Sequence, residues 1–227
     1  MISHQYKIIF IHIPKCAGTS IETALGHLQG HEGRDGQDHR NLREIEQPLP
    51  LGYAFSSFSN ITELARRVGR RLLPAHNRRN RLAVSTSQYE SYLKFTIVRN
   101  PWARAVSVYK NVMHDPVHRR DLRVTPDIPF PQFLASHAGK GMLRPQTHWL
   151  RDFSGAIPMD FIGKFENLHA DFSHVCRLTG IGELPLPHET RGPSVNYRQF
   201  YDAKSSELVQ NVYREEIELF DYQFDIA

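Results

Sequence analysis

Two segments of the chain each join a short apolar run to a polar turn and the start of a helix. Residues 6–12 form a β-branched and aromatic run, and apolar positions at helical spacing begin at Ile21. Residues 93–98 form a second run, followed by Asn100 and Pro101, which suit the cap and the first position of a helix. Runs that are apolar on both faces are typical of parallel strands covered by helices. The pattern predicts an α/β fold, a three-layer sandwich with a central, mainly parallel sheet.

Weaker patterns predict three more helices and one more strand. Apolar spacing predicts a short helix at 130–137 and a helix from Leu168 that stops at Gly180. It also predicts a strand within 160–165 and one long closing helix over 208–220.

Two segments, 32–50 and 55–91, lack clean periodicity and are rich in Gly, Pro, Asn, Ser and Arg. We expect loops or lids there, with one short helix near 61–73. The 227 residues contain no repeat and no linker. The expected organisation is one domain, 1–227, with a basic insertion or lid at about 50–90.

The charge distribution narrows the ligand classes. There are 28 Lys and Arg against 24 Asp and Glu, a formal net charge of +4, which favours an anionic ligand. Seven arginines lie between Leu64 and Leu82. They indicate either a solvated face or flexible insertion, or a contact surface for a polyanion.

Cysteine usage and hydropathy indicate a reducing compartment and no membrane span. The two cysteines, Cys16 and Cys176, are too few and too far apart to frame a small secreted fold. The longest apolar stretch, 6–13, is far shorter than the roughly 18 residues that a span requires. We expect a cytoplasmic protein without a transmembrane segment.

The turn after the first strand has the composition of a phosphate-binding loop. Residues 14–20 read Pro-Lys-Cys-Ala-Gly-Thr-Ser, which provides a cation, small residues for close backbone approach, and two hydroxyls at a helix start. A Walker A loop places its lysine directly after the last glycine, whereas Lys15 precedes Gly18 by three residues. The ATPase pattern is therefore not matched. The alternative is an ordinary strand–helix turn capped by Thr19 or Ser20.

A second anion pocket is indicated after the second strand. Arg99 follows that strand directly, and Ser107 lies two helical turns further on. A guanidinium suits bidentate phosphate recognition, and a hydroxyl can complete the pocket. Taken singly, each residue also fits a surface ion pair or a tolerated helix position. Together the two turns predict a ligand with two anionic groups.

These segments resemble those of a known family. Residues 10–20 resemble the 5′-phosphosulfate-binding loop of sulfotransferases, and residues 95–109 resemble their 3′-phosphate-binding segment. The likeness is closest to the carbohydrate-type branch, sulfotransferase family 2, including its soluble bacterial members. It extends to 144–147, 160–168 and 217–224, and so covers most of the chain.

The resemblance implies a P-loop-NTPase-like sulfotransferase fold and a specific donor. It implies that a sulfuryl group passes from 3′-phosphoadenosine 5′-phosphosulfate to a hydroxyl of a carbohydrate or other small acceptor, neutral or anionic, without a metal. Lys15 would stabilise the leaving oxygen, and Arg99 with Ser107 would hold the 3′-phosphate. The residues expected to bind the donor are Lys15, Cys16, Ala17, Gly18, Thr19, Ser20, Arg99 and Ser107.

The expected catalytic base is His39. It resembles the histidine that follows the first helix in many family members and faces the acceptor there, and imidazole suits a base near neutral pH. His12, on the first strand, fits a core residue better. His31, His114 and His148 remain alternatives.

Two departures from the family pattern concern the acceptor and the adenosine. Residues 45–92 are longer and more basic than in compact soluble relatives. They could form a lid that favours an acidic glycan or a lipid headgroup, or be a disordered insertion with no role. Residues 190–196 match only loosely the loop that often closes over adenosine.

Three other functions stay open on the sequence alone. They are a nucleotide or small-molecule kinase on a related fold, a polyanion- or nucleic-acid-binding protein, and a non-catalytic family member that still binds the nucleotide. The kinase lacks its Walker lysine, and nucleic acid is the weaker partner since only one tract is strongly basic.

Overall fold

The computed structural model describes residues 1–31, 33, 35–187 and 196–224. The chain divides into two compact units. The first, here the sheet unit, comprises Met1–Val98 and Thr147–Glu189, and the second, the helical unit, comprises Arg99–Gln146 and Thr190–Ala227. The loop expected to close over adenosine lies outside the described residues apart from Asn196.

The sheet unit contains a four-stranded mixed sheet in the order β1-β2-β3-β4. The strands are β1 (Ile2–Ser3), β2 (Ile8–Ile11), β3 (Leu93–Val98) and β4 (Phe161–Lys164). β1 is antiparallel to β2, whereas β2 with β3 and β3 with β4 are parallel. The predicted α/β class with a mainly parallel sheet is confirmed.

The described chain also contains twelve α-helices. In the first half they are α1 (Gly18–Ala24), α2 (Leu42–Ile45), α3 (Leu51–Ala54), α4 (Phe58–Leu72), α5 (Thr86–Ser91) and α6 (Pro101–His114). In the second half they are α7 (Pro116–Leu122), α8 (Phe130–His137), α9 (Thr147–Leu150), α10 (Leu168–Thr179), α11 (Ala203–Val212) and α12 (Arg214–Leu219).

The core of the sheet unit forms where α1 and α10 pack on the strands. Ile21 of α1 and Phe172 of α10 are buried in one cluster with Phe10, Phe95 and Ile97 of the two central strands. All four residues of β2 are buried, as expected for a strand covered on both faces.

The helical unit has its own core around α6. Trp102 and Val112 of α6 pack with Phe133 of α8 and with Val209 and Ile217 of the last two helices. The predicted cap of α6 is present, because the Asn100 side chain accepts hydrogen bonds from the Trp102 and Ala103 amides.

Two sequence expectations are wrong. The segment 55–91, expected to be mainly loop, is mainly helical: α4 is a 15-residue helix, and α5 and a short 3₁₀ helix at Arg78–Arg81 follow it. The closing helix is not continuous, because Tyr213 interrupts it with φ −112° and ψ 20°. The Tyr213 hydroxyl is held elsewhere, donating to the Leu143 carbonyl at 2.6 Å.

Gly163 of β4 tests how tightly β4 packs. A Cβ there would lie 2.7 Å from Ile97 Cδ1 and 2.9 Å from Asp171 Cβ, so Gly163→Ala should destabilise the protein by about 1–3 kcal/mol. Gly69→Ala in α4, where a Cβ meets nothing within 4 Å, is the matched control and should leave stability unchanged or raise it by up to about 1 kcal/mol. Urea unfolding midpoints measure both. Equal midpoints for the two variants would contradict this packing.

Candidate active site

The turn between β2 and α1 has an unusual backbone. Lys15 and Ala17 both adopt left-handed conformations, with φ of 67° and 63°. For non-glycine residues this costs about 1–2 kcal/mol each, so the surrounding fold must impose it. Left-handed residues on either side of a right-handed one turn nearby N–H groups toward a common concavity, a geometry that binds anions.

The start of α1 adds further hydrogen-bond donors to this turn. Ala17 occupies the cap position and makes no side-chain cap hydrogen bond in the described chain. The first N–H groups of a helix lack intrahelical acceptors, so those of Gly18, Thr19 and Ser20 can donate to a ligand. Lys15 and Thr19 are half-buried, and Ser20 is buried.

Cys16 has a different place from its neighbours. Its side chain is buried, with Sγ 3.8 Å from the Pro14 carbonyl oxygen. Its amide donates to the Ile13 carbonyl at 3.3 Å. Cys16 therefore closes the turn, and both of these donors point into the loop itself.

Gly18 is required by the His12 ring. A Cβ on Gly18 would lie 1.9 Å from His12 Cδ2 and 2.2 Å from Nε2, so no other residue fits without displacing the imidazole. The glycine thus serves packing against His12 as well as backbone approach to an anion.

A buried charge network lies behind the loop. His12 Nδ1 lies 3.2 Å from a carboxylate oxygen of Glu22 on α1. The same oxygen accepts a hydrogen bond from the Asp38 amide at 3.1 Å. The Asp38 carboxylate accepts hydrogen bonds from the Arg40 guanidinium, the shortest to each oxygen at 2.9 and 2.6 Å. Burial alone would raise the pKa of Glu22, but His12 lowers it below its ordinary value. Arg40 does the same for the pKa of Asp38.

His39 lies beside this network and close to the loop. Its ring centroid is 4.3 Å from that of His12, which itself contacts Gly18. Its pKa is lowered mainly because the surrounding protein reduces hydration of the charged ring, and the neighbouring His12 ring lowers it further. The ring is therefore neutral at pH 7, the form that accepts a proton.

The other candidate histidines have different surroundings. His12 is buried and ion-paired with Glu22, as expected of a core residue. The His31 ring contacts the His76 ring at 5.9 Å between centroids, and His148 lies 3.7 Å from a Glu63 oxygen. His114 is the exposed last residue of α6.

Arg99 lies at the start of the helical unit, where two buried side chains fix its backbone. Gln146 accepts from the Arg99 amide and donates to the Arg99 carbonyl, both at 2.8 Å. The Gln146 amide group also donates to Glu216 at 3.1 Å, and the Gln146 backbone N–H donates to the other Glu216 oxygen. Both side chains are fully buried. Ser107, half-buried on α6, belongs to the same unit.

Sequence reasoning missed the positioning side chains Glu22, Gln146 and Glu216. The sequence did carry a signal for Gln146, because this residue lies in the segment 144–147 that contributed to the family resemblance. Glu22 and Glu216 carry no local signal, because each occupies an ordinary helix position and only its distant partner reveals its role.

Among the seven arginines between Leu64 and Leu82, here the arginine tract, Arg67 has a structural role. Arg67 is buried and donates to the Arg43 and Glu46 carbonyls at 3.0 and 2.8 Å. Arginines of this tract together with Arg40 line a cavity of about 260 Å³ in the sheet unit. The arginines that line it are Arg40, Arg67, Arg70, Arg71 and Arg81.

With this geometry in place, comparisons with known proteins establish the family. The sulfotransferase family model matches residues 1–223, so the chain belongs to the sulfotransferase family. The resemblance drawn from the two loops is confirmed.

Known relatives agree with this assignment. Carbohydrate sulfotransferase 11 of Rattus norvegicus is 23% identical over 98% of this chain and 66% of its own length. The Danio rerio protein of the same name is 23% identical over 94% and 63%, respectively. An uncharacterized protein of Archaeoglobus fulgidus is 33% identical over 56% of this chain and 98% of its own. The chain thus spans just under two thirds of the carbohydrate sulfotransferases it matches, and no solved structure matches it.

The described residues contain neither a metal-binding cluster nor a membrane-spanning helix. Across the described ranges, no group of three or more His, Cys, Asp or Glu side chains is arranged to hold a metal ion. No helix in the described part of the chain is both long and apolar enough to cross a bilayer.

The lowered pKa of His39 can be measured directly. In a histidine-selective NMR titration, the His39 ring should protonate with a midpoint below 6.5, its ordinary value, because protonation is opposed by the surrounding protein and by His12. The His39→Ala variant identifies the resonance by its disappearance. A midpoint at or above 6.5 would contradict this environment.

Proposed function

We propose that the protein transfers a sulfuryl group from 3′-phosphoadenosine 5′-phosphosulfate to a hydroxyl of a carbohydrate or other small acceptor. The observation that carries the proposal is the loop at 14–20, with its left-handed Lys15 and Ala17, in a chain of the sulfotransferase family. Such a loop suits a phosphosulfate group, because it combines backbone donors, hydroxyls and a cation.

The 5′ end of the donor is assigned to the sheet unit. The N–H groups of Gly18, Thr19 and Ser20 and the two hydroxyls would hold its oxygens. Lys15 would add the full positive charge. Cys16 would act through the shape of the turn, since its amide and thiol are directed to Ile13 and Pro14.

The 3′-phosphate is assigned to Arg99 and Ser107 of the helical unit. A guanidinium and a hydroxyl match a phosphate dianion, which distinguishes this donor from ATP and ADP. Gln146 supports the assignment, because it binds the Arg99 backbone at both its N–H and its carbonyl. Glu216 in turn holds the Gln146 side chain.

The chemistry needs a base and a stabilised leaving group. In the proposed step the acceptor oxygen forms a bond to sulfur as the bond from sulfur to the phosphate oxygen breaks. His39 takes the acceptor proton, and Lys15 stabilises the charge that develops on the leaving phosphate. A neutral His39 suits this role, and its contact with His12 places it near the loop.

The proposed acceptor class is a carbohydrate, and an anionic one is favoured. The named relatives are carbohydrate sulfotransferases. In this chain the cavity is lined by five arginines, of which Arg40 pairs with Asp38 and Arg70 pairs with Glu44, so three guanidiniums supply the surplus charge. An acidic sugar would gain more from this surplus charge than a neutral one.

Donor binding is the first test. Lys15→Ala and Arg99→Ala should each weaken binding of 3′-phosphoadenosine 5′-phosphate by roughly ten- to hundredfold, the value of a charge-assisted contact. Thermal shift and calorimetry measure this, with ADP and Mg-ATP as comparison ligands. Arg120→Ala changes an exposed arginine of the helical unit, is the matched control for Arg99→Ala, and should bind the nucleotide normally.

The comparison ligands separate the competing functions. Selective stabilisation by the 3′-phosphorylated nucleotide supports the sulfate donor, and an equal response to ADP favours a kinase. If the 3′-phosphorylated nucleotide fails to stabilise the protein, or binds equally well after both substitutions, the proposed donor site is wrong.

His39 is tested by separating binding from turnover. His39→Ala should leave nucleotide affinity unchanged and lower kcat by at least about a hundredfold, since the base contributes only when the proton moves. Transfer of labelled sulfate to paired acidic and neutral oligosaccharides is the assay. Full turnover by His39→Ala would overturn the assignment of the base while leaving the donor site intact.

A further inference from the structure

Helix α4 has its polar and apolar faces reversed relative to an ordinary surface helix. Its buried side chains are Asn60, Glu63 and Arg67. Its large apolar side chains face solvent instead: Phe58 is 82% exposed and Leu72 is 78% exposed. An amphipathic helix normally buries its apolar face, so this face calls for a partner outside the unit.

The polar face is firmly anchored, so the orientation of the helix is fixed. Asn60 donates to the Tyr53 and Phe153 carbonyls, both at 2.9 Å. Glu63 accepts from Asn41 at 2.6 Å. Rotating α4 to bury its apolar face would leave these polar groups without their partners, at a high cost in free energy.

The exposed face forms one continuous stripe. Its positions follow the spacing i, i+3, i+7, i+10 and i+14, which places them on one side of the helix. They are Phe58, Ile61, Ala65, Val68 and Leu72. The exposed side chains of Leu51, Tyr53, Phe55 and Leu73 adjoin the stripe in sequence at the two ends of α4.

Positive charge flanks the stripe. On the helical projection Arg66 lies to one side and Arg71 to the other. Glu63 and Glu44 pair with Arg66 and Arg70 from the buried side of α4, so the exposed Arg71 carries the remaining positive charge beside the stripe. Arg78 and Arg81, also exposed, follow the helix.

We propose that α4 docks on an anionic lipid surface, with the stripe from Phe58 to Leu72 inserted at the interface and the flanking arginines on the headgroups. A helix with one apolar face, basic flanks and low net hydrophobicity is typical of helices that lie in a membrane interface rather than span it. Arginine can keep its charge in water while its stem covers apolar surface.

Charge also argues against a second copy of this chain as the occupant. A two-fold symmetric contact through the stripe would bring the same patch of both copies together. The arginine flanks of one copy would then face those of the other and repel them. An anionic bilayer satisfies both the apolar stripe and its basic flanks.

Vesicle binding of the full chain tests the proposal. It should co-sediment with phosphatidylcholine vesicles that contain phosphatidylglycerol, bind less to phosphatidylcholine alone, and dissociate as salt is raised. Phe58→Ser with Leu72→Ser should lower the partition coefficient by at least about tenfold. Arg78→Gln, which changes an exposed arginine outside the arginine-lined cavity, should lower it less and weaken its salt dependence.

A matched control separates the stripe from general surface hydrophobicity. Leu178→Ser replaces a leucine that is 53% exposed on α10 and should leave vesicle binding unchanged. The substituted side chains are exposed, so circular dichroism and unfolding midpoints should match the wild type. Nucleotide binding should also persist, which keeps this test independent of the proposed sulfotransfer.

Three outcomes would overturn the proposal. They are absence of binding to either vesicle type, undiminished binding by the Phe58→Ser and Leu72→Ser double variant, and equal loss of binding in Leu178→Ser. If the wild type is a dimer, the double variant is a monomer and neither binds vesicles, the stripe mediates self-association instead.

Discussion

The buried pairing of Glu22 with His12, and of Asp38 with Arg40, is the constraint on which the candidate site depends. Charges in a protein interior persist only when they are paired, and removing one partner typically costs about 3–5 kcal/mol. The network joins the end of β2, the middle of α1 and the segment that follows α1. Because His39 lies between Asp38 and Arg40 in sequence, fixing those two side chains also fixes its position beside His12.

Polar contacts play a similar part in the basic segment. α4 is attached through Asn60, Glu63 and Arg67, which pair with side chains and carbonyls of the neighbouring elements. Such contacts hold the helix in one orientation, because each buried group would lose its partner in another. The apolar residues of α4 are thereby left on the outside, which explains how one helix can be well anchored and still present a hydrophobic surface.

Elements with strong local signals were predictable from the sequence. β3 has the predicted bounds, Leu93–Val98, and α10 ends with Gly180 in a left-handed conformation, as its sequence indicates. The segment 55–91 was misjudged, since burial of polar residues in α4 inverts the pattern by which a core helix is recognised. The break at Tyr213 was missed because no Gly or Pro marks it in the sequence.

The sequence by itself determined the two strand–turn–helix units, the composition of the polar turn in each, and the resemblance to the sulfotransferase family. These follow from local spacing and residue type within short windows. Only the tertiary structure showed that the His39 ring lies 4.3 Å from the His12 ring, that Gln146 holds the Arg99 backbone and is itself held by Glu216, and which face of α4 meets solvent. Each depends on contacts between residues far apart in the chain, which local spacing does not encode.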